Sequence, residues 1–126
     1  MAILRTRPRR ARYSPEHALQ RLVVQYLWTQ EQQGRLTFFH VSNGATSRTR
    51  GAIEKALGVR AGVSDLVLAF PHPTHLYMEL KAGQGRQSKE QKAFQRRIEA
   101  LGYTYVVVRS LDEAVATTEA AIRRVT

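Results

Sequence analysis

Asp65, Glu79 and Lys81 are two acids and a base placed where the ends of two short strands could bring them together, with Gln91 following. Asp65 heads the apolar run Ser64-Asp65-Leu66-Val67-Leu68-Ala69-Phe70, and Glu79 and Lys81 close a second run that starts at His75. Both runs read as β-strands bounded by Gly and Pro. Side chains two apart on a strand share a face, so Glu79 and Lys81 point together. Two carboxylates and an ammonium gathered there form a metal site suited to phosphodiester hydrolysis. Mg²⁺ is a hard cation held by carboxylate and carbonyl oxygens, and Mn²⁺ can substitute for it. Asp65 and Glu79 would supply carboxylates, and the main-chain carbonyl of Leu80 a further oxygen. The metal would polarise the scissile phosphate and acidify a water. Lys81 would hold or activate that water and offset developing negative charge.

Each residue also has an ordinary reading. A lone Asp at a strand start caps a turn, and a Glu and a Lys at a strand end mark a solvated edge. Here Val67 and Ala69 share the face of Asp65, which places it at the edge of an apolar core. Tyr77 precedes Glu79 on one face, while Leu76, Met78 and Leu80 fill the other, so this strand reads as central. Charges in a central strand are costly unless paired or bound to a cation. Gln91 keeps two readings that can alternate. Ser88-Lys89-Glu90-Gln91 is a capping box, and Gln91 also starts the stripe Phe94, Ile98, Leu101 that would face the sheet. Lys89, Lys92 and Arg96 follow a neighbouring stripe and, with Lys81 and Arg86, form a basic rim for phosphates. Arg48, Arg50, Lys55 and Arg60 extend it. The four histidines show no metal-ligand spacing, although His40 on the first strand could point at the site.

The elements that must position these groups are legible from caps and periodicity. Ser14-Pro15-Glu16 opens a helix with an N-cap, a proline at its first position and an acid in its first turn. Leu19, Leu22, Val23, Tyr26 and Leu27 form its apolar face, and Trp28 with Tyr26 reads as core rather than as a base-stacking platform. A strand over 36–41, an Asn43-Gly44 turn and a short helix bearing Ile53, Ala56 and Leu57 follow, with Gly58 as its stop. After the two site strands come a helix from Ser88 to Gly102, a strand over 103–108 and a last helix. Ser110 to Glu113 is a capping box for that helix, with Ala114, Val115, Thr118 and Ile122 inward. The order is α-β-α-β-β-α-β-α, a small α/β domain with a mixed sheet and helices on its faces.

The 126 residues suffice for one domain, 14–126, preceded by an arginine-rich arm over 1–13. That arm reads equally as a solvated tail or as a segment that orders on a partner. Twenty Lys and Arg against ten Asp and Glu give +10, which favours a polyanionic partner, nucleic acid first. No apolar stretch reaches a membrane span, and no secretory signal follows the basic arm. The absence of cysteine excludes disulfides and thiolate metal sites and suits a cytoplasmic setting. The alternative to an enzyme is a non-catalytic DNA-binding protein on the same fold.

Three segments, 58–68, 78–83 and 87–92, together resemble the stand-alone VRR-NUC nucleases of phages and bacteria, within the PD-(D/E)XK superfamily. The carrying motifs are G-x-x-x-G-V-x-D ending at Asp65, E-L-K at 79–81 and S-x-x-Q at 88–91. The resemblance implies a restriction-endonuclease-like fold and a metal-dependent DNA endonuclease acting on branched or flapped DNA such as Holliday junctions. It implies metal ligands at Asp65 and Glu79, a catalytic Lys81, a site-lining Gln91, a metal-side Glu16 and a homodimer. Ser64 stands where the family pattern has proline. That proline shapes backbone and contributes no chemistry, so activity is expected to survive the change.

Overall fold

The computed structural model describes residues 14–41 and 48–125. The arginine arm and the Asn43-Gly44 turn fall outside them, as do the side chains of Arg48 and Arg50. Eight elements follow in the expected order: α1 (Pro15–Gln32), β1 (Thr37–His40), α2 (Arg48–Ala56), β2 (Leu66–Phe70), β3 (Thr74–Leu80), α3 (Lys89–Ala100), β4 (Thr104–Val108) and α4 (Leu111–Val125).

Local chemistry sets the helix ends. Ser14 Oγ accepts from the His17 amide at 3.2 Å, and Pro15 occupies the first helical position. In α3 the capping box closes fully: Ser88 Oγ accepts from the Gln91 amide at 3.1 Å, and Gln91 Oε1 accepts from the Ser88 amide at 2.8 Å. At α4 only half of the expected box forms. Ser110 Oγ accepts from the Glu113 amide, but the Glu113 carboxylate reaches one residue further back, to the Arg109 amide at 2.6 Å.

The four strands lie in the order β1-β2-β3-β4. β1–β2 and β2–β3 are antiparallel and β3–β4 is parallel, with α3 as the crossover that a parallel pair requires. β3 is therefore interior, as its two apolar faces predict. One sheet face carries Leu66, Leu68, Phe70, Leu76, Met78, Leu80 and Val108 against Leu19, Val23 and Leu27 of α1 and Ala114, Ala121 and Ile122 of α4. This is the main core. Tyr77 and Glu79 alternate onto the opposite face, which α3 covers through a thinner aromatic layer in which Phe94 meets Tyr77 and Tyr105 edge-on. Asp65 and Lys81, just past the ends of β2 and β3, lie beside the N-terminal turn of α1.

Several periodic apolar residues lie outside any core. Leu22, Leu101, Ile53 and Leu57 are exposed, Leu57 at 78%. Trp28, expected inside, is 52% exposed, with its ring edge-on to Phe38. The apolar stripes of α1, α2 and α3 run wider than the strip their neighbours cover, whereas α4, among the described residues, exposes no large apolar side chain. Far from the site, Arg35 binds Glu119 through two nitrogens at 3.1 and 3.0 Å, and Tyr26 donates to the same carboxylate, tying α1 to α4. Burial and the Glu119 charge push the Tyr26 phenol up to about 12. No described helix is long and apolar enough to cross a membrane.

Candidate active site

The β2–β3 register places Leu66 opposite Met78, so the next rung sets Asp65 across from Glu79. Asp65 is fixed at both ends. Its carbonyl accepts from the Val41 amide at 3.0 Å, and its Oδ2 accepts from the Leu80 amide at 2.6 Å. The carboxylate is thus pinned to the β3 backbone between Glu79 and Lys81. His40 Nδ1 lies 2.8 Å from the Asp65 carbonyl, which only accepts, so Nδ1 donates to it; Gln20 Nε2 lies 3.1 Å from the same nitrogen.

Glu79 is completely buried. Tyr105 and Gln87 donate to its Oε1, the latter at 3.2 Å, and Gln87 also donates to Gln95 at 2.8 Å. Burial, and then the hydrogen bond to Glu79, raise the Tyr105 phenol far above its ordinary value, so it stays protonated and donating. Glu79 Oε2 has no hydrogen-bond partner among the described residues. A buried carboxylate oxygen without a donor is expensive. An oxygen-seeking cation is the kind of group that relieves it.

Lys81 is buried along most of its length, and Nζ lies 3.9 Å from Oε1 of the half-exposed Glu16. Gly85 packs beside both. A Cβ there would lie 3.5 Å from Glu16 Oε1, 3.6 Å from Lys81 Cδ and 3.2 Å from the Ala82 carbonyl. Arg109 fastens this loop, donating to the carbonyls of Gly83 and Gly85 at 3.1 and 2.7 Å. A cleft of about 180 Å³ opens beside Asp65, walled by Glu16, His17, Gln20, His40, Val41 and Leu80. Glu79 is not on its wall. Among the described residues, no three His, Asp or Glu side chains converge tightly enough to cage a metal unaided.

Asp65, Glu79, Lys81 and Glu16 therefore collect at one end of β2 and β3. Gln91 is engaged in its capping box, and the glutamine that touches Glu79 is Gln87, the residue before the cap. Arg86 and Lys92 line a shallow depression with Arg109, while Lys89 and Arg96 are exposed elsewhere on α3. Arg60 lies over the Phe94 ring at 5.7 Å, on the α3 flank. Sequence reasoning missed Gln87, Tyr105 and Arg109. The only signal for Tyr105 was strand alternation, and that needs the parallel β3–β4 pairing before it points at Glu79.

A mixed four-stranded sheet flanked by helices, with its polar set at one strand end, is a restriction-endonuclease-like α/β fold. The sequence profile of the VRR-NUC domain matches residues 6–112. The chain belongs to the VRR-NUC family, a nuclease-type family. Two solved structures superpose on it. One, titled "VRR_NUC domain protein", has a TM-score of 0.66 at 21% identity, covering 89% of this chain and 91% of its own. The other, titled "VRR_NUC domain", has a TM-score of 0.62 at 16% identity, covering 85% of this chain and 97% of its own. A search of curated proteins found no match.

Proposed function

We propose that this protein is a Mg²⁺-dependent DNA endonuclease, with Mn²⁺ able to substitute, that acts by preference on branched DNA. The observation that carries the reading is Oε2 of buried Glu79, without a hydrogen-bond partner among the described residues, on the strand rung across from Asp65 with its pinned carboxylate. The donor set fits the ion. Mg²⁺ takes one or two protein carboxylates and fills its remaining positions with water and substrate phosphate. Two acids and the Leu80 carbonyl meet that need without a three-residue cage. When bound, the ion supplies positive charge that polarises the scissile phosphate and acidifies water.

The chain's own groups do the rest. Tyr105 and Gln87 hold Glu79 by one oxygen and so leave the other directed elsewhere. The Leu80 amide fixes the rotation of Asp65. Lys81, sheltered by the Gly83–Gly85 loop, orients the attacking water and offsets charge on the phosphate. Arg86, Lys89, Lys92 and Arg96 contact phosphates and position the duplex. Gln91 serves as cap in the free protein and can reach substrate only by giving up that bond. A homodimer, one copy per strand, is the assembly that suits a junction.

A non-catalytic DNA-binding reading is the competitor, favoured by the lack of a preformed three-ligand cage among the described residues. Labelled four-way junction, flap, single-stranded and duplex DNA separate the two, each with Mg²⁺, Mn²⁺ or EDTA, beside Lys81→Ala. Cutting that needs metal and is lost in the variant is expected. Binding without cutting under every metal would overturn the enzyme reading.

A further inference from the structure

α1 carries a second depression on its outer face, about 490 Å³, lined by His17, Gln20, Arg21, Val24, Gln25 and Trp28. These six occupy one helical stripe, spaced by three and four residues, on the side away from the buried Leu19, Val23 and Leu27. His17 and Gln20 also wall the cleft at Asp65, so the two depressions share these two residues as a common wall. At the far end stands Trp28, half in solvent although Phe38 braces its edge at a centroid distance of 4.9 Å.

The lining sets the ligand class. Only Val24 and Trp28 are apolar, too little for a stable protein interface. Gln25 presents an amide that both donates and accepts, which suits base edges, and Gln20 adds the groups that its contact with His40 leaves over. Arg21 and His17 suit a phosphate, on a chain with a net charge of +10. An exposed indole beside such groups is a stacking platform for a nucleobase. From His17 to Trp28 the helix rises about 16 Å, the length of roughly five nucleotides of stacked strand.

We infer that the α1 stripe binds an unpaired DNA segment leading into the cleft, with one base stacked on Trp28. This rests on the nuclease reading for its purpose and deepens it by assigning the substrate a single-stranded arm. The test does not depend on cleavage. Trp28 is the chain's only tryptophan, so fluorescence excited on the red edge of the indole band, where the five tyrosines do not absorb, reports this site alone. Oligothymidylates and duplexes with single-stranded tails of two to ten nucleotides are titrated in EDTA. Emission should be quenched, with the full effect only once tails reach roughly five nucleotides. Trp28→Ala should weaken binding of tailed DNA by about ten-fold or more, leave blunt duplex unchanged, and be rescued largely by Trp28→Phe.

Absent quenching in the wild type would overturn the inference without requiring any variant to fold. Equal loss on blunt and tailed DNA would overturn it too. So would a change confined to oligomeric state by sedimentation, which would make the stripe a contact between copies. Quenching and tail selectivity in a protein that cuts nothing would leave the groove standing and remove the nuclease reading, so the two failures are distinct.

Discussion

Glu79→Gln probes the cation without any substrate. In the wild type the side chain is fully buried and Oε2 lacks a donor among the described residues, while Oε1 takes Tyr105 and Gln87. Without metal, an unsatisfied buried oxygen costs about 1–3 kcal/mol, more when charged. The amide keeps an acceptor for Tyr105 and Gln87 and puts a neutral NH2 in the place of Oε2; an unpaired neutral group costs less than an uncompensated charge, so the metal-free variant should gain about 1–2 kcal/mol. A chain of 126 residues shifts its melting temperature by roughly 4 °C per kcal/mol. Metal-free Glu79→Gln should therefore melt about 4–8 °C above the wild type. Saturating Mg²⁺ reverses the order. At one hundred times its dissociation constant an ion that binds only the folded state adds about 2.7 kcal/mol, roughly 10 °C here, and the variant should lose most of that gain. Thermal unfolding followed by circular dichroism, with Mg²⁺ against EDTA, reads both arms. Equal stabilisation of both proteins by Mg²⁺ would refute Glu79 as a ligand. A metal-free variant that melts below the wild type would refute the account of an uncompensated buried oxygen.

Arg109→Ala frees the Gly83 and Gly85 carbonyls, so protease nicking within 82–87 should rise several-fold while the melting temperature falls by less than about 5 °C; unchanged nicking would show that the loop holds itself. Gly62 has φ +83°, and a Cβ there would lie 2.4 Å from the Glu90 backbone. Gly62→Ala should cost at least about 2 kcal/mol by urea unfolding, and a loss under about 1 kcal/mol would contradict that packing. Glu119 is held below its usual 4.5, first by the Arg35 hydrogen bond. A carboxyl lowered in the folded state stabilises above its unfolded value and loses that contribution as pH falls through the folded one. Urea midpoints between about pH 5 and about pH 3 should therefore drop faster for the wild type than for Glu119→Gln; parallel slopes would mean that Arg35 contributes nothing there.

All eight elements were readable because their signals are local. Ser14 and Ser88 announce helix starts within four residues, and Gly34, Gly58 and Gly102, each at positive φ, follow three helices. Alternation over 74–80 identified an interior strand and put Glu79 with Lys81. Apart from the half-formed cap at Ser110, where Glu113 reaches to Arg109, the misses are non-local. Trp28, Leu22 and Leu101 keep helical spacing, but how much of a stripe is covered depends on where a helix docks. Gln87 and Gln91 flank the same cap, and nothing near them says which turns to Glu79. Tyr105 and Arg109 act on groups 24 to 26 residues away, across a parallel pairing.

Asp65 meets Glu79 only because β2 and β3 pair in one frame. A slip of one residue in β3 would turn Glu79 and Lys81 into the space between α1 and α4 and expel Leu76, Met78 and Leu80. The greasy side of the strand thus acts as the inspector of its charged side. A chain in the wrong frame cannot persist as a sluggish version of the protein, because the error that scatters the acids also dismantles the core. Assembly of the site and completion of folding are one event, and the quality of the first is guaranteed by the hydrophobicity of residues that never touch it.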